Sequence, residues 1–508
     1  MQSIEQPSKE KILKAADAKY LDACHDVARD YAKSSFRGPC LGLKPNRAEA
    51  FKYFSYAASQ GSLRAQLYIA DALLKGDGVE QDVQQALTLY AQAAVQNPLL
   101  ADYRKGVAHF EAKEDGVAHQ IAFECLSRCA GANFLPAFVY LAQCYAEGKG
   151  VQKNPEMALE MYLRGATQGN SAAQYHLGRC YYEGDGVEKS YKKAFEWYTK
   201  SAEKGNAEAQ CGLGHCYYTG QGVDQDYKQA FEWYSKSAEQ GSASAQNSLG
   251  ECYQNGYGVE QDDEKAFEWF LKSAEQGNAA AQNTIGWCYQ QGEGVEQDYK
   301  MAFDWYLKGA EGFDASAQNN VGWCYHYGRG VEQDYKSAFD WYATSADQGY
   351  ADAQNNLGWC YLKGLGVAPN PTRAVEWFLK SAKQNNPSAQ SNLGMCYDLG
   401  DGVDQDHTKA FEWYSKSAAQ GDANSQYKLG WCYQHGVGVS QNDKKAYEWY
   451  AKSAEQGLAT AQYTLGWCYQ YGYGVATDLE KAQEWFSKSA EQGCEEAEEF
   501  LKGEYEQG

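Results

Sequence analysis

Residues 230–262 read AFEWYSKSAEQGSASAQNSLGECYQNGYGVEQD, and much of the 508-residue chain repeats this stretch. The next copy, AFEWFLKSAEQGNAAAQNTIGWCYQQGEGVEQD, begins 36 residues later. The G-x-G-V signature recurs at this spacing without insertion or deletion, and its first glycine stands at Gly148, Gly184, Gly220, Gly256, Gly292, Gly328, Gly364, Gly400, Gly436 and Gly472. A fixed period of this size predicts a solenoid of stacked units.

Each unit carries the pattern of two helices, which we call helix A and helix B. In residues 243–254, Ala245, Leu249 and Cys252 fall on one apolar face, as expected for helix A. Helix B is predicted to begin after a capping Asp or Asn, at Asp226, Asp262, Asp298, Asp334, Asn370, Asp406, Asn442 and Asp478. The pattern therefore predicts an all-α fold, an α/α solenoid of about twelve helix-turn-helix repeats of 36 residues.

A glycine inside helix A is the least expected feature of the repeat. Gly250 should cost about 1 kcal/mol relative to Ala in a helix interior. The same position is nevertheless glycine in the repeats from Gly178 to Gly466. This recurrence predicts a close helix crossing that a Cβ atom would obstruct.

The chain divides into four predicted segments, according to how closely each matches the 36-residue pattern. The N-terminal cap and a first irregular helix pair occupy 1–61, with a polar lead-in over 1–18 and an enlarged loop, SSFRGPCLGLKPN, before the second helix. Two divergent repeats follow over 62–133, and in the second of them we place the turn at Gly116–Val117. Ten regular repeats occupy 134–493, and 494–508 is predicted to form a C-terminal capping helix.

The composition disfavours two classes of partner. The net charge of −21 disfavours nucleic acid and anionic membranes, because both require a basic surface. The N-terminus lacks the apolar region of a secretory signal, and no 18-residue apolar run occurs. We therefore predict a cytoplasmic protein without membrane insertion, and secretion by a non-classical route remains open.

Residues at the same position in successive repeats form what we call a column. Ten of the 16 cysteines occupy one column of helix A: Cys144, Cys180, Cys216, Cys252, Cys288, Cys324, Cys360, Cys396, Cys432 and Cys468. Cysteines on equivalent packed helices are expected to lie about 8–10 Å apart. A disulfide requires Cα atoms closer than about 7 Å. We therefore predict buried, reduced thiols in a reducing compartment.

The recurring pattern A-Q-x-x-L-G-x-C-Y-x-x-G-x-G-V, followed by D-x-x-K-A-x-E-W-Y-x-K-S-A-x-Q-G, resembles the Sel-1-like repeat family, a relative of the tetratricopeptide class. The resemblance covers roughly residues 45–508 and weakens over 98–133 and in the first helix pair. It implies a right-handed superhelix that serves as a scaffold or adaptor in protein complexes. The resemblance does not identify the partner, and self-association is possible.

Tryptophan occupies two different columns. In helix B it recurs nine times, and earlier units replace it with bulky Leu89 and Met161, which predicts core packing. In helix A five tryptophans, Trp287, Trp323, Trp359, Trp431 and Trp467, share a column with Arg179, His215, Glu251 and Met395. A position that accepts charge is expected to face solvent or a groove.

Each helix A tryptophan has a partner one helical turn earlier, on the same face: Asn283, Asn319, Asn355, Tyr427 and Tyr463. By analogy with tetratricopeptide arrays, we predict that these ten residues line a concave groove that binds a protein or an extended peptide. The amides would bind the peptide backbone, and the indoles would receive its side chains. The alternatives are that the tryptophans pack only against the next repeat, or that they bind glycans.

The sequence offers no catalytic constellation. Cys125 and Cys129 lie one turn apart with His119 nearby, but both fall in core columns, which favours packing over metal binding. The G-x-G-V turn ends a helix instead of following a strand, so it is not a phosphate loop. We therefore predict a non-enzymatic protein without metal or cofactor. The rival hypotheses are a secreted effector that binds host proteins and a repeat protein with hydrolase activity.

Overall fold

The computed structural model describes residues 47–111 and 116–502, and the regular secondary structure of these two ranges consists of 26 α-helices without a strand. The helices are α1 Arg47–Ser59, α2 Leu63–Lys75, α3 Val83–Gln96, α4 Pro98–Phe110, α5 Gly116–Gly131, α6 Ala137–Glu147, α7 Pro155–Thr167, α8 Ser171–Glu183, α9 Tyr191–Ala202, α10 Ala207–Thr219, α11 Tyr227–Glu239, α12 Ala243–Asn255, α13 Asp263–Glu275, α14 Ala279–Gln291, α15 Tyr299–Glu311, α16 Ala315–Tyr327, α17 Tyr335–Asp347, α18 Ala351–Lys363, α19 Pro371–Lys383, α20 Pro387–Leu399, α21 His407–Ala419, α22 Ala423–His435, α23 Asp443–Glu455, α24 Ala459–Tyr471, α25 Leu479–Ala490 and α26 Glu495–Lys502. Even-numbered helices are helix A and odd-numbered helices are helix B. The predicted all-α repeat of two helices is confirmed.

The helices group into two compact units. The first unit extends to Ala245 and includes the turn Tyr257–Val259. The second unit contains Gln246–Gly256 and the chain from Glu260 onward. Within each unit, a helix A packs against its own helix B, and that helix B packs against the next helix A. Each unit is therefore an α-solenoid by itself.

The predicted caps of helix B are confirmed. The Asp262 carboxylate accepts a hydrogen bond from the backbone N–H of Lys265 at 2.9 Å, and the other seven predicted Asp and Asn residues cap their helices in the same way. Such a side chain pairs an N–H group that the first turn leaves without an intrahelical acceptor. The start of each helix B is therefore fixed by local sequence.

The close helix crossing predicted at the helix A glycines is also confirmed. A Cβ atom added to Gly286 would lie 2.5 Å from Cδ1 of Tyr306, and Gly250 faces Phe270 in the same manner. The aromatic residues that meet these glycines form a buried column on helix B: Tyr198, Tyr234, Phe270, Tyr306, Tyr342, Phe378, Tyr414, Tyr450 and Phe486. The absence of a side chain on helix A thus makes room for a ring from helix B.

The helix B tryptophans do not belong to this buried column, and their predicted place in the core needs correction. They are half-buried, as Trp305 is, and pack against the core from its edge. Lys308 Nζ lies 3.7 Å from the centroid of the Trp305 ring on the other side. Consecutive helical residues point about 100° apart, so when Tyr306 faces the glycine, Trp305 must lie to one side.

The divergent segment departs from the predicted turn. Gly116 and Val117 are the first two residues of α5, and Gly116 lacks the positive φ that the turn glycines share. The turn predicted at Gly116–Val117 is therefore wrong, because a lone glycine without a second one two residues later can also begin a helix. The predicted lead-in over 1–18 and the enlarged loop lie outside the described residues. The four-segment division stays a proposal.

The cysteine column lies in the last turn of helix A, where all ten side chains are buried. The fourteen cysteines within the described ranges are free thiols. Burial raises the pKa of Cys288 to about 12. Because the thiolate is the reactive form, a buried thiol with a raised pKa is expected to react slowly.

We expect the native protein to react slowly with a bulky thiol reagent at pH 7, whereas the unfolded chain should titrate all 16 thiols. The half-buried Cys494 should react before the ten buried cysteines of the column. Thiol titration with and without denaturant measures this difference. Fast labelling of Cys288 or Cys324 in the native state would contradict the packing of helix A, and purified protein with intramolecular disulfides would contradict the predicted reducing, cytoplasmic compartment.

Candidate partner-binding groove

The five helix A tryptophans lie beside the buried side of their helices, at the edge of the core. On α14, Ala281, Ile285 and Cys288 are buried, whereas Trp287 is half-buried and Gln291 is exposed. The equivalent positions on α16, α18, α22 and α24 show the same pattern of buried, half-buried and exposed residues. We call the face that carries these five tryptophans the Trp face.

Each of these rings is half-buried, so each combines packing with an open surface. Trp287 contacts the core clusters around Phe270 and Tyr306, one on either side of its helix. Both predicted roles are therefore compatible with the geometry: part of the ring stabilises the stacking of repeats, and part remains available to a partner.

Four of the five rings also have a neighbour one turn later on their own helix. The pairs, with the distance between ring centroids or from the amine to the ring centroid, are Trp323–Tyr327 at 5.3 Å, Trp359–Lys363 at 5.3 Å, Trp431–His435 at 4.5 Å and Trp467–Tyr471 at 5.1 Å. Trp287 has Gln291 in that place, so its ring lacks an aromatic or cationic neighbour one turn later on its own helix. Its indole face differs from the others in this respect.

Each asparagine predicted to bind a peptide already pairs with another asparagine on the next helix A. Asn319 and Asn355 are each only 8% exposed. The carbonyl oxygen of one helix A asparagine accepts a hydrogen bond from an asparagine amide of the next helix A, in the pairs Asn283–Asn320 at 2.9 Å, Asn319–Asn356 at 3.0 Å and Asn355–Asn392 at 2.8 Å. We call this series the asparagine ladder.

The second member of each ladder pair was not predicted from the sequence. The only available signal was the doublet Asn319–Asn320 and its copy Asn355–Asn356. The carbonyl oxygens are occupied, and Asn319 Nδ2 also donates to Asn320 Oδ1 at 3.5 Å. The remaining amide N–H groups are the part of Asn319 and Asn355 left to contact a peptide backbone. The predicted residues Tyr427 and Tyr463 instead pack beside the core rings Tyr450 and Phe486, with centroids 5.5 and 5.6 Å apart.

A cleft of about 460 Å³ lies on the Trp face between α12 and α14. It is lined by Gln254, Asn255, Asn283, Thr284, Trp287 and Glu293. Two of the ten predicted site residues, Asn283 and Trp287, therefore meet in one cavity. The other eight lie on α16, α18, α22 and α24, and α20, between α18 and α22, carries Met395 at the tryptophan position.

Glu251 occupies the tryptophan position on α12, directly before this cleft. Its carboxylate is half-buried and accepts a hydrogen bond from Asn247 Nδ2 at 2.7 Å. Burial raises the pKa of Glu251, and the hydrogen bond from Asn247 opposes that rise. The Glu251 carboxylate on α12 therefore places hydrogen-bond acceptors at the position that Trp287 occupies on α14.

The cysteines considered as metal ligands, Cys125 and Cys129, make packing and hydrogen-bond contacts instead. Cys129 donates a hydrogen bond to the carbonyl oxygen of Leu99 at 3.4 Å, and Arg128 contacts the sulfur of Cys125 at 3.3 Å. Within the part of the chain that the structure describes, no three potential ligands come together as a metal site would require. A search of the same residues for a helix that is long and apolar enough to cross a bilayer finds none.

Comparison with known proteins agrees with this architecture. The family model described as Sel1 repeat matches twelve segments: 21–62, 63–98, 139–170, 171–206, 207–242, 243–278, 279–312, 315–350, 351–386, 387–422, 423–458 and 459–494. It leaves 99–138 unmatched, where α4 and α5 lie.

Among solved structures, the chain is similar to c5321, described as a protective antigen present in uropathogenic Escherichia coli strains and displaying an SLR fold. The two are 32% identical with a TM-score of 0.59, and the match covers 90% of this chain and 91% of c5321. A Sel1 repeat protein from Oxalobacter formigenes is also 32% identical, with a TM-score of 0.44, over 48% of this chain and 96% of its own.

Among curated proteins, chitin synthase regulatory factor 3 of Schizosaccharomyces pombe is 29% identical over 144 residues. This match covers 26% of the present chain and 15% of the yeast protein. The chain thus spans a small fraction of that relative's length.

Proposed function

The chain belongs to the Sel1 repeat family, and from this premise we propose that it is a non-enzymatic scaffold whose Trp face binds an extended segment of a partner protein. Solenoids of this family typically serve protein–protein interaction. The observation that supports the proposal for this chain is the series of half-buried tryptophans at one register on five helices A.

Half-buried indoles suit this role because each combines a fixed position with an open surface. Tryptophan is enriched among residues that contribute most to binding, and its rigid ring loses little conformational entropy on contact. Neighbouring packed helices lie about 8–10 Å apart, which is close to the length of three extended residues. A partner in extended conformation would therefore meet one tryptophan every few residues.

The asparagine ladder changes how the proposal should be tested. Replacing Asn319 by Ala would leave the Asn356 amide without its acceptor and should itself cost about 1–3 kcal/mol of stability. The double variant Asn319→Ala/Trp323→Ala is therefore expected to lose stability as well as binding. Trp323→Ala alone removes the contact surface while leaving the ladder intact.

We expect Trp323→Ala to weaken partner binding about thirtyfold or more, since truncating a buried tryptophan anchor typically costs at least about 2 kcal/mol. A photo-crosslinking amino acid at the exposed Gln291 would first capture the partner, and titration with the purified partner would then give the affinity. Trp449→Ala is the matched control, because Trp449 is a half-buried tryptophan on helix B with Lys452 stacked on it.

Melting curves should show that Trp323→Ala and Trp449→Ala fold equally well. If Trp323→Ala binds like the wild type while Trp449→Ala loses affinity, the partner uses the helix B surface, and the proposal is wrong.

A further inference from the structure

The asparagine ladder does not continue at the cleft beside Trp287. Asn320, Asn356 and Asn392 occupy one position on three successive helices A, and Thr284 occupies it on α14. The shorter threonine side chain donates to the Ala280 carbonyl oxygen at 3.1 Å, within its own helix. It therefore neither fills the space beside α12 nor offers a donor to it.

The interruption leaves an acceptor without a donor. Asn247 is the residue on α12 that would receive the ladder hydrogen bond, and its Oδ1 atom is buried without a hydrogen-bond partner. Its amide nitrogen is already committed to Glu251. Asn247 is not one of the six residues that line the cleft, but Thr284, which holds the position of its missing donor, is one of them. Because an unpaired buried carbonyl oxygen is unfavourable, a ligand group that reaches past Thr284 and donates to this oxygen would gain a hydrogen bond that Thr284 does not supply.

The charge around the cleft has one sign. Glu293 lines the cleft and Glu251 precedes it, whereas no Lys, Arg or His lines it. The turn that carries Glu293 also borders a second cleft, whose acidic lining residues are Asp262, Asp263, Glu264 and Glu296. Of these four, Asp262 forms an ion pair with Lys265, and the other three have no ion pair within the described ranges. The surroundings therefore favour a cationic ligand.

The open indole face of Trp287 favours a planar cation over an ammonium group. It lacks the ring or lysine neighbour that covers the equivalent tryptophan in the other four repeats. A guanidinium group is planar, stacks on an indole, carries only donors and stays charged at every physiological pH. An ammonium group supplies the charge but cannot stack flat while donating to several acceptors in one plane.

We propose that the cleft formed by Thr284, Trp287 and Glu293 receives an arginine side chain of the partner segment. This inference rests on the proposed function, since the arginine belongs to the segment bound on the Trp face. The guanidinium would stack on Trp287, form an ion pair with Glu293 and donate toward the unpaired oxygen of Asn247. The partner is therefore expected to carry a basic segment, as the net charge of −21 also favours.

The test uses a fluorescein-labelled octapeptide in which serine and arginine alternate, and the same peptide with citrulline in place of arginine. Fluorescence anisotropy would measure the affinity of the wild type, Thr284→Asn and Thr464→Asn for both peptides. Thr284→Asn should complete the ladder with Asn247 and so occupy the oxygen to which the guanidinium would donate, at a nearly unchanged side-chain volume. Thr464→Asn is the matched control, because Thr464 holds the same position on α24, also donates to its own helix, and follows a helix A with Tyr427 in place of the ladder asparagine.

We expect the wild type to bind the arginine peptide at least about tenfold more tightly than the citrulline peptide, which is a modest value for a charged group at an acidic aromatic site. Thr284→Asn should lose about tenfold for the arginine peptide while melting at or above the wild-type temperature. Thr464→Asn should bind like the wild type. All three proteins carry the same net charge, so non-specific attraction cannot produce this difference.

Equal affinity for the two peptides, no binding of the arginine peptide, or full affinity in Thr284→Asn would each overturn the assignment. These results leave the proposed function to its own test. If partner binding is weakened by Trp323→Ala but not by Thr284→Asn, the Trp face is still the binding surface and only the arginine assignment is wrong. If partner binding depends on neither Trp323 nor Thr284, the Trp face is not the binding surface and the arginine assignment is wrong as well.

Discussion

Gly286→Leu is expected to lower the free energy of unfolding by about 3 kcal/mol or more, at the upper end of the range for overpacked cores. Even a Cβ atom at this position would meet the Tyr306 ring at 2.5 to 2.9 Å. The ring cannot retreat easily, because Tyr306 is 1% exposed and its hydroxyl donates to Gln290 at 2.9 Å. Denaturant unfolding followed by circular dichroism would measure the loss.

Two further variants isolate the cause. Ala280→Leu places the same side chain on the exposed side of the same helix and should change stability by less than about 0.5 kcal/mol. Combining Gly286→Leu with Tyr306→Ala should recover part of the loss, since the leucine can occupy the volume of the removed ring. Wild-type stability in Gly286→Leu would mean that helix A does not cross helix B at this glycine.

Gly330→Ala is expected to cost about 3 kcal/mol or more, through left-handed strain together with overlap with backbone atoms. Gly330 has φ 74°, and a Cβ atom here would overlap the carbonyl group of Tyr299, the first residue of α15. A side chain could rotate away from such an overlap, but the backbone of a helix cannot. Hydrogen exchange would show whether the damage stays near α15, as nearest-neighbour coupling in a solenoid predicts.

Gly349→Ala supplies the matched control. Gly349 has φ 94°, and nothing lies within 4 Å of the position that its Cβ would take. It should therefore lose only the left-handed strain of about 1–2 kcal/mol. The difference between the two variants measures the close approach of the turn to α15. Equal losses would show that the second glycine of G-x-G-V is required for its φ angle alone.

The period and the local chemistry of one repeat were enough to predict the fold. Asp262 caps helix B through a backbone N–H three residues away, and Cys288 and Ile285 mark the core side of α14 by their spacing. Such features depend on residues within one or two helical turns. They can therefore be recognised in a single chain without any information on how helices pack.

The same local information predicted which residues lie on the Trp face, but it did not predict their contacts. Trp305 and Tyr306 are both large and apolar, and only the crossing at Gly286 decides that Tyr306 is buried while Trp305 lies at the edge. Likewise, the composition of α5 does not reveal that Gly116 begins a helix. In each case the competing conformations differ in tertiary packing and hardly at all in local preference.

The sequence by itself determined two helices per 36 residues, their caps, their buried faces and the column that carries Trp287. The tertiary structure decided which polar groups on that column are occupied. Asn283 accepts from a residue 37 positions later, and Asn247 lacks a donor because that later residue is Thr284. Neighbouring helices A bring these positions together through packing alone, so no pattern within one repeat distinguishes an occupied asparagine from an unpaired one.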